Sequence, residues 1–171
     1  MPHHPDASTQ PLLHLVLYQP EIPQNAGAVA RTCVALGAKL WLVRPLRFQL
    51  DSKHMRRAGL DYWEHLDWEV VDDWQQLRER IGSRGFWYFS KGAGRLYTEA
   101  RYAPGDALVF GGESAGLPAS LIENNREHCL RIPIRTPPRS LNLSVSAAVV
   151  AFEARRQFVA AGLLAAEPCD P

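Results

Sequence analysis

The segment best suited to chemistry is 108–118, LVFGGESAGLP, an apolar run that breaks into glycines and ends at a proline. Leu108 to Phe110 predict a buried strand, the glycines allow a sharp turn or the close approach of a ligand, and Pro118 fits the first turn of a helix. Residues 112–116 also spell G-x-S-x-G, the nucleophile-elbow pattern of serine hydrolases. Either a serine nucleophile or a ligand-binding loop is therefore possible here.

A serine hydrolase built on Ser114 would need an acid and then a histidine, both later in the chain. Only His128 follows Ser114, and the only acids between them are Glu123 and Glu127. This crowding leaves no room for the strands and loops that separate such residues, so the hydrolase is the weaker alternative. A P-loop fails because Leu117-Pro118 stand where Lys and Ser or Thr are needed. No G-x-G-x-x-G follows the first predicted strand, which disfavours a Rossmann dinucleotide site.

Length and charge limit the remaining possibilities. A chain of 171 residues fits one globular domain, and a net charge of +1 means that a nucleic acid would be held by local arginines rather than by a broad basic field. Cys33, Cys129 and Cys169 are odd in number and far apart, which argues against a disulfide scaffold. The first ten residues lack a signal-peptide core and no apolar run is long enough for a membrane span, so we expect a cytoplasmic protein.

Apolar runs and their punctuation predict an α/β domain over residues 12–159, with tails at 1–11 and 160–171. Strands alternate with helices, which favours a mainly parallel sheet with helices on both faces and a ligand site beyond the carboxyl ends of the strands. Asn25 is expected to cap the first helix and Gly37 to end it. The predicted strands are Leu12–Tyr18, Lys39–Val43, Trp68–Val71, Gly85–Ser90, Leu108–Phe110 and Cys129–Ile134, and the predicted helices are Ala26–Leu36, Asp73–Ile81, Pro118 to about Asn124, and Leu143–Val159.

A basic and aromatic segment follows the second predicted strand. Arg56 and Arg57 precede Tyr62 and Trp63, a mixture that suits an RNA surface because arginines meet phosphates and rings stack on bases. A solvated helix with core aromatics explains the same pattern.

Three loops together resemble a known family. They are Asn25 with Arg31-Thr32, the F-G-x-E-x-x-G-L-P string of residues 110–118, and the R-I-P and R-S-x-N-L-S strings at 131–133 and 139–144. They resemble the motifs of the SPOUT class (TrmH-like) of RNA 2′-O-ribose methyltransferases. Within it, the minimal TrmL (YibK-like) enzymes, which methylate the wobble cytidine or uridine ribose of certain tRNAs, are the most similar group. The resemblance implies a C-terminal trefoil knot and a homodimer with a tRNA substrate.

The resemblance also implies a cofactor and site residues. The methyl donor would be S-adenosylmethionine, with S-adenosylhomocysteine as product, and no metal is required. Gly111 would let the adenosyl group approach the backbone without a Cβ in the way. The implied cofactor-binding residues are Tyr88, Phe89, Gly111, Ile132 and Ser140.

The implied catalytic residues are Arg31, Asn25, Glu113 and Asn142. A guanidinium with a pKa above about 12 is a poor base at neutral pH, so we expect Arg31 to hold a phosphate and orient the hydroxyl instead. Capping of a helix by its carboxylate is an alternative role for Glu113. The implied RNA-binding residues are Arg56, Arg57, Arg135 and Arg139. A catalytically idle RNA-binding or dimerisation module remains a third possibility.

Overall fold

In the part of the chain that the structure describes, seven strands form one sheet, and each paired strand runs parallel to its neighbour. The computed structural model describes residues 10–49, 63–135 and 140–166. In chain order the strands are β1 (His14–Tyr18), β2 (Lys39–Val43), β3 (Trp68–Val71), β4 (Phe86–Phe89), β5 (Arg95–Leu96), β6 (Ala107–Gly111) and β7 (Cys129–Arg131). Their order across the sheet is β3-β2-β1-β6-β4-β7-β5. The predicted α/β class with a mainly parallel sheet is confirmed.

Helices cover both faces of this sheet. They are α1 (Pro23–Leu36), α2 (Trp74–Ile81), α3 (Ala119–Glu123) and α4 (Leu143–Ala160). Side chains alternate along each strand, so Leu15 and Leu17 of β1 pack towards α1 and α4, whereas Val16 packs towards α2. Both faces are apolar, as expected of parallel strands that are buried on each side.

The predicted start of α1 is wrong. The helix begins at Pro23 rather than Ala26, and Asn25 lies in its first turn instead of capping it. Proline fits this position because its fixed φ suits a helix and its missing N–H needs no partner in the first turn. The residue before the helix, Ile22, has no side chain that could accept a hydrogen bond. Because Asn25 does not cap the helix, its side-chain amide is available for another contact.

The last helix packs its small residues inwards. Ala147, Ala151 and Ala154 are fully buried in the core cluster that α4 shares with α1. These alanines therefore belong to the core of the chain. No helix in the described ranges is long and apolar enough to cross a membrane.

Candidate active site

A cavity of about 570 Å³ lies at the carboxyl ends of β4, β6 and β7. Parallel strands bring these ends together at one edge of the sheet, and the starts of α1 and α4 close the cavity from the side. The predicted ligand edge is thus the edge that carries the cavity. Seven of the predicted site residues line it: Asn25, Phe89, Gly111, Glu113, Ile132, Ser140 and Asn142.

One wall of the cavity is apolar and partly aromatic. Phe89 and Phe110, on neighbouring strands, stack with ring centroids 4.7 Å apart and an interplanar angle of 13°. Leu130 and Ile132 continue the wall along the next strand. Apolar walls with a few polar groups are typical of sites for small organic ligands, and this one suits a flat heterocycle.

The glycines at the end of β6 allow the following loop to close on itself. A Cβ on Gly111 would overlap the backbone of Gly116 and Leu117, and one on Gly112 would lie 2.6 Å from the carbonyl oxygen of Gln19. The Gly116 N–H donates to the Gly112 carbonyl at 2.8 Å, which closes the loop. The space next to Gly111 is therefore filled by protein backbone. We expected the missing Cβ of Gly111 to make room for an adenosyl group. The structure shows that it makes room for the backbone of Gly116 and Leu117 instead.

The carboxylate of Glu113 holds the start of α1. Its Oε2 accepts from the backbone N–H of Glu21 at 2.8 Å, and its Oε1 accepts from that of Ile22 at 3.2 Å. These amides lie at the positive end of the helix, where a carboxylate is favourable. Glu113 thus caps a helix, as its alternative role predicted, but the helix is α1 and not the one that follows it in sequence.

A chain of side-chain amides joins this carboxylate to the start of α4. Asn25 donates from Nδ2 to Glu113 Oε1 at 2.8 Å, and its Oδ1 accepts from Asn142 Nδ2 at 2.9 Å. Asn142 in turn caps α4, accepting from the Ser144 N–H at 2.9 Å. Asn25 is only 7% exposed, so the pairing satisfies a buried amide. The three predicted motifs therefore meet in one hydrogen-bonded network.

Ser114 is bound to the carboxylate of Glu21, and no histidine in the described part of the chain lines the cavity beside it. Its backbone N–H and its hydroxyl both donate to Glu21, each at 2.9 Å. The hydrogen bond from the backbone, and to a smaller extent the one from the hydroxyl, hold the pKa of the Glu21 carboxyl below its usual value. Among the described residues no histidine lines the cavity, and His128 packs against Trp87 instead. Within the described residues, Ser114 therefore lacks the histidine base that a serine nucleophile of this type uses.

Several predicted residues lie outside the cavity. The side chain of Tyr88 is buried on the opposite face of the sheet, where its ring centroid is 5.9 Å from that of Trp74. Arg31 is exposed on α1, about 9 Å further along the helix than Asn25 because each residue rises about 1.5 Å. Arg135 is exposed directly after the cavity-lining Ile134. The remaining predicted RNA-binding residues, Arg56, Arg57 and Arg139, lie outside the described residues.

Sequence reasoning missed three polar contributors to this edge. Lys91 and Arg131 line the cavity, and Glu21 anchors the loop that frames it. Lys91 comes soon after a predicted strand, which is where parallel sheets place ligand-binding groups, so its position could have been inferred. The role of Glu21 had no local signal because its partner Ser114 is 93 residues away.

Three motif loops thus meet around a cavity at the carboxyl edge of a parallel sheet. The chain belongs to the SpoU rRNA methylase family, whose model matches residues 12–152. The resemblance found in the motifs is thereby confirmed.

The names of individual relatives point to a narrower activity than the family name does. The tRNA (cytidine(34)-2′-O)-methyltransferase of Burkholderia ambifaria is 45% identical over 150 residues, which is 85% of this chain and 96% of the relative. A solved structure described as giving insights into the 2-OH methylation of C/U34 on tRNA superposes with a TM-score of 0.81 at 49% identity, covering 86% of this chain and 97% of the other. An AdoMet-bound rRNA methyltransferase from Sinorhizobium meliloti has a TM-score of 0.74 at 25% identity, over 84% and 56% of the two chains.

Proposed function

We propose that this protein transfers a methyl group from S-adenosylmethionine to the ribose 2′-hydroxyl of the wobble nucleotide of tRNA, cytidine or uridine 34, and releases S-adenosylhomocysteine. The observation that carries this proposal is the network of Glu113, Asn25 and Asn142, which joins three motif loops around one cavity. The near full-length similarity to a tRNA (cytidine(34)-2′-O)-methyltransferase supports the choice of substrate. Such a reaction would take place in the cytoplasm, where tRNA is available.

The cavity fits the proposed methyl donor. Its volume is within the range of about 300–1,000 Å³ that is usual for small-ligand sites. The apolar wall beside Phe89 and Ile132 suits the adenine ring, and the backbone at Gly111 and the Ser140 hydroxyl offer polar atoms to the rest. When bound, S-adenosylmethionine supplies an electrophilic methyl group on a sulfonium. The chain itself has to orient the hydroxyl, exclude water and let the proton leave.

The hydrogen bonds of Glu113 favour a structural role for its carboxylate. Three N–H donors, two from the backbone and one from Asn25, already occupy its oxygens. We therefore assign Glu113 to holding the loops, Asn25 and Asn142 to shaping the cavity, and Arg31 to gripping a phosphate beside the target ribose. In this scheme the proton leaves to water or to a neighbouring acceptor as the methyl bond forms, since a guanidinium does not accept it at neutral pH.

A second copy of the chain would complete the site. Val145, Val149 and Phe152 form an apolar stripe on one side of α4 and are 47%, 36% and 50% exposed. Ile22 and Leu141 extend this surface to the rim of the cavity, at 43% and 38% exposure. Such a contiguous apolar surface is typical of a protein interface. We propose a homodimer that covers it and brings Arg31 of one subunit to the cavity of the other.

Mass spectrometry of tRNA nucleosides tests the function. We expect tRNA from a strain lacking this protein to lose the 2′-O-methyl group at position 34, and the purified protein with S-adenosylmethionine to restore it. Normal methylation in the deletion strain, together with no transfer in vitro, would rule the proposal out. Tight binding of undermodified tRNA without any transfer would indicate the idle RNA-binding module instead.

A further inference from the structure

Two cations line the cavity without an assigned role. Lys91 follows the end of β4 and Arg131 is the last residue of β7. These strands are adjacent and in register, with Phe89 opposite Leu130 and the Ser90 N–H donating to the Leu130 carbonyl at 3.0 Å. Arg131 therefore lies opposite Ser90 at the end of the sheet, and Lys91 comes one residue after Ser90. Both residues line the cavity next to the predicted cofactor positions Phe89 and Ile132.

Neither cation is neutralised by the described part of the chain. No carboxylate within the described ranges forms an ion pair with Lys91 or Arg131. The one acid among the residues that line the cavity, Glu113, is already bound by three N–H groups. The described residues that line the cavity thus include two cations and one carboxylate that is already engaged, and the nearby Glu21 carboxylate is bound by Ser114.

An excess of positive charge at a ligand cavity favours an anionic ligand group. The proposed methyl donor is a poor match, because its sulfonium and ammonium groups outnumber its carboxylate at neutral pH. The proposed acceptor is a good match, because the 2′ carbon that bears the reacting hydroxyl is bonded to the 3′ carbon, which carries a phosphodiester. A 2′-hydroxyl therefore reaches the methyl donor only together with that phosphate.

We propose that Lys91 and Arg131 form a subsite for the 3′-phosphodiester of the target ribose, which leaves the phosphate on its 5′ side to Arg31. This inference rests on the proposed function and extends it, since it assigns RNA contacts to the cavity itself. Arg131 is half-buried and presents a planar fork that suits two phosphate oxygens, whereas the exposed Lys91 acts as a point charge. Together the two side chains would hold the ribose in register with the cavity.

Charge-removing variants test the subsite. We would compare Lys91→Gln and Arg131→Gln with Arg126→Gln, a control at an exposed arginine outside the cavity. Undermodified tRNA is titrated at several salt concentrations, and S-adenosylhomocysteine binding is measured by calorimetry. Each cavity variant should weaken tRNA binding roughly tenfold and flatten the slope of log K against log salt by about 0.7 to 0.9. Binding of S-adenosylhomocysteine should be unchanged, and Lys91→Arg should restore the salt slope.

Two results would overturn the subsite. Weaker S-adenosylhomocysteine binding with an unchanged tRNA salt slope would assign the cations to the carboxylate of the donor. No change in either measurement would make them solvated surface charges. The proposed function fails separately, if the wild-type protein transfers no methyl group to tRNA while the variants still flatten the salt slope.

Discussion

The side-chain amide of Asn25 and the carboxylate of Glu113 are joined by a 2.8 Å hydrogen bond across 88 residues of sequence. The same carboxylate also holds the amides of Glu21 and Ile22, at the start of a helix that has no cap of its own. One acidic side chain therefore fixes the loop after β6 against the start of α1. We therefore expect the shape of the cavity to depend on this contact.

Replacing Glu113 with glutamine should loosen the cavity. The amide group of glutamine would point an N–H at one of the donors that the carboxylate now accepts, and at least one buried N–H would lose its partner. We expect Glu113→Gln to lower the free energy of unfolding by about 1–3 kcal/mol, measured in urea, and to weaken S-adenosylhomocysteine binding. The matched control is Glu127→Gln, an exposed position outside the cavity, which should change neither. Equal stability of the two variants would remove Glu113 from its proposed role.

Gly111→Ala should be far more damaging than a glycine change nearby. The new Cβ would meet the backbone of Gly116 and Leu117, which cannot rotate away as a side chain can. We expect the free energy of unfolding to fall by at least about 2 kcal/mol. We also expect the variant to lose binding of S-adenosylhomocysteine. Gly92→Ala is the control, since a Cβ there meets nothing within 4 Å. If the two variants unfold at the same urea concentration, the loop is not closed in the way described.

Local patterns predicted most of the fold because its strands are buried. The runs that form β1, β2 and β6 are apolar on both faces and are bounded by turn residues, so their positions were accessible from sequence. The strand β5 was missed because Arg95 and Leu96 are too few to show a pattern. Its pairing with β7 depends on a distant segment of the chain.

The sequence predicted which residues belong to the site better than it predicted the contacts between them. Asn25, Glu113 and Asn142 were found through a motif resemblance, and the structure brings all three together. Local reasoning made Asn25 a helix cap, because no local pattern shows that Glu113 performs that task from another loop. Tyr88 was placed correctly in its strand, but the side-chain alternation turns it away from the cavity.

Ser114→Ala separates a loop residue from a nucleophile. The backbone N–H of residue 114 would still donate to Glu21, so only one of the two hydrogen bonds is lost. We expect methyl transfer to tRNA to stay within a few-fold of wild type and stability to fall by about 1 kcal/mol. A nucleophilic serine would show a loss of at least about a thousandfold. A drop of that size in the initial rate of methyl transfer would show that Ser114 takes part in the reaction and is not only a loop residue.

His14 should make stability fall at mildly acidic pH. Its ring is 6% exposed and accepts a hydrogen bond at Nδ1 from Trp41 at 2.9 Å, so it is neutral with its proton on Nε2. Burial, and then the charges of Arg84 and Lys39, lower its pKa from 6.5 to about 4. The folded state then resists protonation that the unfolded chain accepts. Stability is complete above pH 6.5 and is lost as the pH falls towards 4.

Urea unfolding at about pH 7.5 and about pH 5 measures this effect. Wild type should lose about 2 kcal/mol more than His14→Gln, since glutamine keeps an acceptor for Trp41 but does not titrate. Because other titrating groups are common to both proteins, the difference between them isolates the histidine. Identical pH dependence in wild type and variant would show that His14 protonates without cost in the folded state.

Mixing two impaired variants decides where Arg31 acts. Arg31 is exposed and does not line the cavity of its own chain, whereas Glu113 does. If Arg31 serves the partner's cavity, a heterodimer of Arg31→Ala and Glu113→Gln subunits holds one intact site out of two. Random mixing makes about half of the dimers heterodimers, so about a quarter of wild-type methyl transfer should return. Arg31→Lys, which keeps the charge but loses the bidentate fork, should remain slow in its own homodimer. If the mixture is no more active than its separate components, each cavity uses its own Arg31, and wild-type rates in Arg31→Lys would refute the bidentate grip.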